Sequence, residues 1–426
     1  MAKKTTKTSG AAGSFSQLND FLNNIAPDGE ILDINPIAKI DEWIGTGSYI
    51  LNAALSGSIF GGIPNRRSLV LAGEEGTGKT FIALSACRIA QRELDYDIIY
   101  FDSEGAIDVE FVAKLGVDTS RVRLQPVNTI EEFSTIASQI TKSFDETIAA
   151  GLKPPKIMIV LDSLGNLSSA KEKQDTQDGS DKRDMTKQQN IRKLFRVNGL
   201  QFAKHGIPFI INNHVYDSMS MFSPKEISGG GGVKYNASII LILGKGKLDD
   251  AEGEKTAKNK NVDAVKVGVT IYVTPFKNRY AKPIKVQMHI PFFKKPNPFV
   301  GLEKFVSWEA CGIMRGKSLT EKEYSKLSEA EKKKCYKYED VSEGAGTIIK
   351  YAFPMDTARS LVTRHLGQVP LADLFTDKVF TREVLEELDE KVIKPTFSLP
   401  SIESLDDLAE LTKELEVDED FNIDSK

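Results

Sequence analysis

The chain has 426 residues, a formal net charge of −4 and 27% charged residues. This length predicts one large core with smaller appendages, and the weak net charge excludes a protein that binds nucleic acid by bulk charge, so such binding needs a local basic surface. The three cysteines, Cys87, Cys311 and Cys335, are far apart and form no C-x-x-C pair, which argues against a zinc site and a disulfide framework.

The first residues predict a flexible arm followed by one amphipathic helix. Residues 1–13 are small and polar, which favours disorder, and they lack the apolar run of a secretory signal. A helix that stops by Pro27 then carries an apolar stripe, formed by Phe15, Leu18, Phe21, Leu22 and Ile25. The stripe packs either on the chain's own domain or on a neighbouring subunit. No segment is apolar enough to span a bilayer, so we expect a cytoplasmic protein.

Residues 73–80 fit the phosphate-binding pattern G-x-x-x-x-G-K-T between an apolar strand and a helix. Its glycines let backbone amides wrap a polyphosphate, and the helix adds the positive end of its dipole. Lys79 is expected to reach the β- and γ-phosphates, and the Thr80 hydroxyl to ligate Mg²⁺. An ordinary glycine turn would not explain both flanking elements. The predicted cofactor-binding residues are Gly73, Glu74, Glu75, Gly76, Thr77, Gly78, Lys79 and Thr80.

Short apolar runs separated by helical stretches predict a mainly parallel sheet with helices on both faces. The runs are 68–72, 98–102, 156–162 and 208–212. Three later runs, 238–243, 265–273 and 284–290, predict an antiparallel extension of the sheet, with a charged hairpin loop at 249–262.

After about Pro291 the composition shifts towards Lys and Glu, and helices are expected near 355–366 and 381–392 in a small lobe. The acidic end of the chain favours a solvated, disordered tail. The alternatives are an autoinhibitory mimic of nucleic acid or a docking site for a basic partner.

Polar residues that end the strands are candidate site residues, because ligands gather at the carboxyl ends of strands in open α/β sheets. Asp162 can hold a water on the nucleotide's Mg²⁺, although a helix cap would look the same. Glu104 can orient and deprotonate the attacking water, or it is a solvated turn residue. His214 can donate to the γ-phosphate, although a lone histidine is more often simply a satisfied polar residue.

Two polar loops leave the same predicted sheet edge, at 169–185 and 215–232. The second joins Met221 and Phe222, which can wedge between bases, to Gly229, Gly230, Gly231 and Gly232, whose amides can wrap a phosphate backbone. Four glycines in a row predict a slack loop. The alternative is a disordered surface loop.

From about Ile40 to Ile290 the chain resembles the RecA-type strand-exchange recombinases. The resemblance is carried, in order, by residues 44–48, the phosphate loop, 102–104 with 115–118, 162–163, and 228–230 with 234–238. Residues 162–167, 184–186 and 211–214 are most similar to the UvsX-type recombinases of large tailed bacteriophages.

The resemblance implies a RecA-like ATPase core whose ATP-bound subunits form a helical filament on single-stranded DNA and exchange strands with a homologous duplex. It implies that Glu104 is the catalytic base and that His214, where bacterial members have glutamine, senses the γ-phosphate. Asp108 and Phe111 match adenine-contacting positions. A single-strand-binding protein and a recombination mediator are implied partners, and the host bacterium's cytoplasm is implied if the chain is phage-encoded.

The resemblance also implies the nucleic-acid contacts. Residues 169–185 and 215–232 match the two DNA-binding loops, and Lys187 and Arg192 would meet phosphates near the first. Lys277 and Arg279 match a basic pair that reaches a neighbour's ATP, as an arginine finger does, unless they are a solvated charge cluster.

The expected organisation has four parts: a flexible N-terminus and oligomerisation helix (1–39), a RecA-like ATPase and DNA-binding core (40–298), a small C-terminal lobe (299–400) and an acidic disordered tail (401–426). Two other functions stay open at this point: a ring-forming replicative helicase on a similar core, and a regulatory ATP-binding protein.

Overall fold

The computed structural model describes most of the chain between residues 37 and 302 and parts of the C-terminal region. The described residues are 18–20, 22, 24–25, 32, 35, 37–179, 186–216, 226–250, 266–292, 296–302, 321–332, 336–342, 346–352, 380 and 382–400. Two compact units divide the chain: residues 1–47 with 63–249, and residues 48–62 with 250–426. The four-part organisation stays a prediction.

The strands, in chain order, are β1 (Trp43–Ile44), β2 (Ile63–Pro64), β3 (Ser68–Gly73), β4 (Asp97–Asp102), β5 (Val122–Pro126), β6 (Ile157–Asp162), β7 (Phe209–Asn213), β8 (Val215–Tyr216), β9 (Glu226–Ile227), β10 (Ile239–Asp250), β11 (Lys266–Lys277), β12 (Val286–Pro291), β13 (Tyr336–Ser342) and β14 (Gly346–Ala352).

The helices are α1 (Tyr49–Ser56), α2 (Lys79–Leu94), α3 (Val109–Lys114), α4 (Ile130–Ala149), α5 (Ala170–Gln177), α6 (Lys187–Lys204), α7 (Gly230–Asn236), α8 (Glu321–Ser325), α9 (Glu329–Lys332), α10 (Arg382–Leu388) and α11 (Lys394–Phe397). Short 3₁₀ turns cover Thr119–Arg121 and Leu164–Asn166, and a π turn covers Asp389–Ile393.

Six strands of the sheet lie in the first unit, in the order β10-β3-β7-β6-β4-β5, and every neighbouring pair is parallel. The apolar runs form β3, β4, β6 and β7 as predicted, because strands buried on both faces need continuous apolar sequence. One expectation was wrong: the run at 238–243 begins β10, which pairs parallel to β3 rather than antiparallel. The mainly parallel α/β fold class is confirmed.

Helices cover both faces of this sheet. On one face, α4 and α6 pack on a buried aromatic cluster, in which Phe133 lies edge-on to Phe101 with ring centroids 4.7 Å apart and stacks on Phe209 at 5.7 Å. On the other face, α2 places Cys87 against Met158 of β6. Burial raises the pKa of the Cys87 thiol to about 12, so this cysteine behaves as a small apolar side chain.

The second unit contains α1, the antiparallel pair β11–β12, the antiparallel hairpin β13–β14 and the segment from α10 to α11. The pair β11–β12 confirms the predicted antiparallel strands, and α10 falls within the helix predicted at 381–392. Buried Asp389 fixes this segment by accepting hydrogen bonds from the Ser58 hydroxyl (2.6 Å) and the Ile59 amide (2.8 Å). The β13–β14 hairpin has no counterpart in the sequence prediction.

Several predicted features lie wholly or largely outside the described residues: the disordered start at 1–13, the hairpin loop at 249–262, the helix at 355–366 and the acidic tail. The described residues between 18 and 25 are helical, and Leu18, Leu22 and Ile25 of the predicted stripe are 51%, 42% and 62% exposed. No helix in the described ranges combines the length and the apolar character that crossing a bilayer requires.

Candidate functional site

The phosphate loop connects β3 to α2 and has the backbone that its glycines were expected to allow. Gly76 and Gly78 have φ values of 73° and 79°, a region that side chains with a Cβ rarely adopt. A Cβ added at Gly73 would lie 2.5 Å from Thr77 Oγ1 and 2.9 Å from the Leu243 carbonyl oxygen. The loop is therefore packed around small residues that cannot be enlarged without moving backbone.

Lys79 is almost fully buried at the start of α2, with 8% of its surface exposed. Its ammonium group donates to the carbonyl oxygens of Gly73 (2.9 Å) and Glu74 (2.8 Å). Burial lowers the pKa of Lys79, and the carboxylates of Asp162 and Glu104 partly oppose that shift. The carbonyl oxygens satisfy the cation within the loop, and phosphate oxygens would be stronger acceptors for it.

The Thr80 hydroxyl donates a hydrogen bond to Asp162 Oδ2 at 2.7 Å. This geometry fits a magnesium site, because the hydroxyl oxygen keeps a lone pair for the metal while the nearly buried carboxylate can accept from a metal-bound water. In the described part of the chain, no three His, Cys, Asp or Glu side chains are grouped to hold a metal by themselves. The remaining ligands would therefore be phosphate oxygens and water.

Glu104, Ser163 and His214 meet in a compact triangle. The Ser163 hydroxyl donates to Glu104 Oε1 at 2.7 Å, and His214 Nε2 lies 3.1 Å from Ser163 Oγ and 3.2 Å from Glu104 Oε1. The structure thus brings the predicted base and the predicted phosphate sensor into direct contact, and adds a buried serine that links them.

The turn after β4 fixes the position of Glu104. Asp102 Oδ1 accepts hydrogen bonds from the backbone amides of Glu104 (2.9 Å) and Gly105 (2.8 Å). The Ser103 hydroxyl also bonds the Ser163 backbone, donating to its carbonyl oxygen and accepting from its amide, both at 2.8 Å. The sequence motifs that contain Asp102, Ser103 and Ser163 predict no role for these three residues, because nothing local shows that two strand ends 60 residues apart are bonded.

His214 is connected directly to the base of the second loop. The Ser228 amide donates to the His214 carbonyl oxygen (3.0 Å), and the Asn213 side-chain amide donates to the Ser228 carbonyl oxygen (2.8 Å). Next to these bonds, Val215 of β8 pairs with Ile227 of β9, which closes the loop at its base. His214 is therefore connected to both ends of this loop, through the chain on one side and through the Ser228 hydrogen bond on the other.

The expectation of a slack four-glycine loop was wrong. Gly229 caps a helix in the left-handed region (φ 82°), and Gly230, Gly231 and Gly232 form the first turn of α7. A Cβ at Gly232 would lie 2.9 Å from Arg192 Cγ, so the absence of a side chain allows α7 to pack closely on α6. Their proposed DNA-binding role stays a prediction.

The basic candidates lie on α6. Arg192 is exposed, whereas Lys187 is partly buried and its ammonium group lies 3.5 Å from the Gly165 carbonyl oxygen. Arg196, one turn after Arg192, is exposed too, and the i to i+4 spacing puts both arginines on the same side of α6. Met221 and Phe222 lie outside the described residues.

The described part of the first loop contains a helix. Residues 170–177 form α5, which Ser169 and Glu172 cap reciprocally, while 180–185 lie outside the described ranges. Asp108 caps α3 by accepting from the Phe111 amide (2.8 Å), and Phe111 is 43% exposed. An exposed ring beside a helix start is compatible with stacking on a base.

Lys277 and Arg279 belong to the second unit, at the end of β11. Burial, and then the neighbouring Arg279, lower the pKa of Lys277. Between them, the Asn278 side chain donates to the carbonyl oxygens of Ala54 (2.8 Å) and Leu55 (3.1 Å), which holds this turn on the end of α1. These hydrogen bonds therefore fix the backbone that carries Lys277 and Arg279.

The family model of the RecA N-terminal domain matches residues 27–287, which is more than half of the chain. The chain belongs to the RecA family. The resemblance inferred from the motifs is therefore confirmed, and the RecA-like fold class agrees with the observed parallel sheet.

Individual relatives give the same result. The chain is 28% identical over 279 residues to the recombination and repair protein of Enterobacteria phage T4, covering 62% of this chain and 68% of that protein. It is 30% identical over 268 residues to the RecA protein of Treponema denticola, covering 61% of this chain and 58% of the relative. It is 32% identical over 251 residues to the RecA protein of an Arthrobacter species, covering 58% of this chain and 63% of that relative. The chain therefore aligns with about three fifths to two thirds of the length of these relatives.

Proposed function

We propose that this RecA-family protein is a DNA-dependent ATPase that forms a helical filament on single-stranded DNA and catalyses homologous pairing and strand exchange. The proposal covers recombination, repair and recombination-dependent replication. Its main support is one connected set of hydrogen bonds, from Glu104 through Ser163 to His214 and on to Ser228 at the base of the second loop. A change at the nucleotide therefore has a physical route to a predicted DNA-binding loop.

In the proposed reaction, water attacks the γ-phosphorus of ATP while the bond to the β–γ bridging oxygen breaks. Glu104 accepts the proton of the attacking water, and Lys79 exchanges its two carbonyl acceptors for phosphate oxygens. Bound Mg²⁺ would neutralise charge on the phosphates, held by the Thr80 hydroxyl and, through water, by Asp162. Asp108 and Phe111 would contact the adenine.

His214 would report the γ-phosphate. In the structure, His214 Nε2 lies next to Glu104 and Ser163. A γ-phosphate would compete with the Glu104 carboxylate and the Ser163 hydroxyl for this nitrogen, because it is a charged acceptor with several oxygens. Moving His214 would then shift the backbone that carries Ser228 and the glycine turn of α7.

Two features support filament formation. The apolar residues Leu18, Leu22 and Ile25 are exposed, which favours packing on a neighbouring subunit. Lys277 and Arg279 would stabilise the charge on a neighbour's ATP. A single-strand-binding protein and a recombination mediator are further proposed partners, on the basis of family resemblance.

The direct experiment measures ATP turnover with and without single-stranded DNA, together with the formation of joint molecules with a homologous duplex. We expect DNA to stimulate turnover and electron micrographs with an ATP analogue to show filaments. The proposal fails if DNA neither stimulates turnover nor is bound in the presence of ATP. A purely regulatory ATP-binding protein would show no DNA affinity at any salt concentration.

A charge-matched pair of variants tests the DNA interface. Arg192→Ala should weaken single-stranded DNA binding and reduce the slope of log affinity against log salt by about one. Arg123→Ala removes an exposed arginine from the edge strand β5, outside the predicted DNA-binding loops, and is the control. Equal slopes for the wild type and both variants would remove Arg192 from the interface.

A further inference from the structure

Asp162 has a second buried donor that the nucleotide chemistry above does not use. The Tyr100 hydroxyl donates to Asp162 Oδ2 at 2.6 Å, the same oxygen that accepts from Thr80 at 2.7 Å. Tyr100 lies on β4, 62 residues before Asp162 in the chain, and is 1% exposed. The β4–β6 register pairs Asp102 with Asp162 and Tyr100 with Val160, so Tyr100 reaches Asp162 along one face of the sheet.

A phenol at this position needs an explanation, because the surrounding strands are apolar and a phenylalanine would fill the same space. Buried hydroxyl groups are costly unless they are hydrogen-bonded, and Asp162 is the acceptor here. Burial, followed by the nearby charge of Asp162, raises the pKa of Tyr100, so the hydroxyl keeps its proton and stays a donor.

The two donors have different consequences. The Thr80 hydroxyl also has to offer its oxygen to the metal. Tyr100 is buried within the sheet, so its hydroxyl serves only as a donor to Asp162. A carboxylate held on one oxygen by both groups has a fixed orientation and presents its other oxygen, Oδ1, in a defined direction. Changing an outer-sphere partner of a metal site typically lowers metal affinity or activity by about 10- to 100-fold.

We propose that Tyr100 is a positioning residue for the magnesium site: its hydroxyl fixes the Asp162 carboxylate so that a water bound to Mg²⁺ meets a preset acceptor. This inference rests on the proposed function, since it assumes that the Mg²⁺–triphosphate complex binds at the phosphate loop. It assigns Tyr100 no contact with substrate. Its effect should appear in the concentration of Mg²⁺ that nucleotide binding requires.

The test uses Tyr100→Phe in the full-length protein and the fluorescent nucleotide mant-ATP. The half-saturating Mg²⁺ concentration for nucleotide binding should rise about tenfold, as is typical when an outer-sphere partner of a metal site is removed. Binding of mant-ATP in EDTA should stay at the wild-type level, because Lys79 and the loop amides are untouched.

Tyr96→Phe is the matched control. Tyr96 is also buried and also donates to a carboxylate, Glu42 Oε2, at 2.6 Å, outside the magnesium site. Removing its hydroxyl should lower thermal stability about as much as Tyr100→Phe does, while leaving the Mg²⁺ requirement within twofold of the wild type. If both variants lose stability equally and neither changes the Mg²⁺ requirement, Tyr100 serves the fold and the inference is overturned.

A double-mutant cycle gives a second, independent test. In an Asp162→Asn background, Tyr100→Phe should cause no further rise in the Mg²⁺ requirement, because the group through which it acts is already changed. An equal rise in both backgrounds would overturn the inference. If wild-type protein binds mant-ATP with no dependence on Mg²⁺, the proposed function itself fails, which is a different result from an unaffected Tyr100→Phe.

Discussion

Replacing Glu104 with glutamine removes a base while keeping its shape. The amide oxygen of Glu104→Gln can accept the 2.7 Å hydrogen bond from Ser163 in place of Oε1, and the turn held by Asp102 is formed by backbone amides that do not change. The variant should therefore keep the triangle with His214. What it loses is a group that can accept a proton from water.

The expected loss in the rate of ATP hydrolysis is about 10²–10⁴-fold, the usual contribution of a positioned general base. This corresponds to about 3–5 kcal/mol of barrier, since each factor of ten is about 1.36 kcal/mol. Nucleotide binding should be at least as tight as in the wild type. Glu104 is one of the carboxylates near Lys79, so the variant presents one negative charge fewer to the triphosphate.

Single-turnover hydrolysis of ATP on single-stranded DNA, measured beside mant-ATP binding, separates these two effects. The variant should bind DNA and nucleotide and accumulate as an unhydrolysed complex. Glu110→Gln is the control: Glu110 is exposed on α3, and its described ion pair is one with Lys114 at 3.6 Å. Wild-type hydrolysis by Glu104→Gln would refute the assignment of the base, and equal losses in both variants would mean that the effect is not specific to the site.

Three further outcomes are expected. Lys79→Ala should weaken mant-ATP binding at least ~100-fold, because it removes the buried cation of the phosphate loop; near-normal binding would contradict the loop's role. Lys277→Ala should abolish ATP hydrolysis. If Lys277 acts on a neighbour's ATP, a 1:1 mixture with Lys79→Ala should restore about a quarter of the active sites, because each restored site pairs an intact Lys79 with an intact Lys277 from the next subunit. No recovery of hydrolysis would exclude that role for Lys277. Burial lowers the pKa of His205 from its usual 6.5. The unfolded state therefore binds this proton at a higher pH than the folded state does, and the free energy of unfolding should fall as the pH drops below 6.5. In urea unfolding, the free energy of unfolding should differ less between pH 5 and pH 8 for His205→Gln than for the wild type. An unchanged difference would exclude His205 as a source of the acid sensitivity.

Local patterns predicted the parts of the site that depend on short stretches of chain. The phosphate loop follows from the spacing of Gly73, Gly78 and Lys79, and the observed loop has the positive φ angles that such glycines permit. Asp162 and Glu104 were predicted as site residues because polar residues that end apolar runs lie at the same edge of a parallel sheet. These inferences needed no knowledge of which strands are neighbours.

Patterns of this kind failed where a residue's environment comes from another part of the chain. Gly230, Gly231 and Gly232 have the local composition of a slack loop, but α6 provides a surface on which a side-chain-free helix turn packs closely. The run at 238–243 looks like part of an antiparallel set, but it pairs parallel to β3, because the pairing of a strand depends on which edge of the sheet is still open.

The residues alone determined the family, the mainly parallel fold, the phosphate loop and the candidate base and metal-binding groups, since each depends on spacing within short stretches of the chain. The tertiary structure decided how those groups act on one another. Ser163 joins Glu104 to His214, and Tyr100 holds Asp162, through contacts between side chains 51 to 62 residues apart. Such contacts exist only after strands distant in the chain become neighbours in the sheet, and no local signal carries that information.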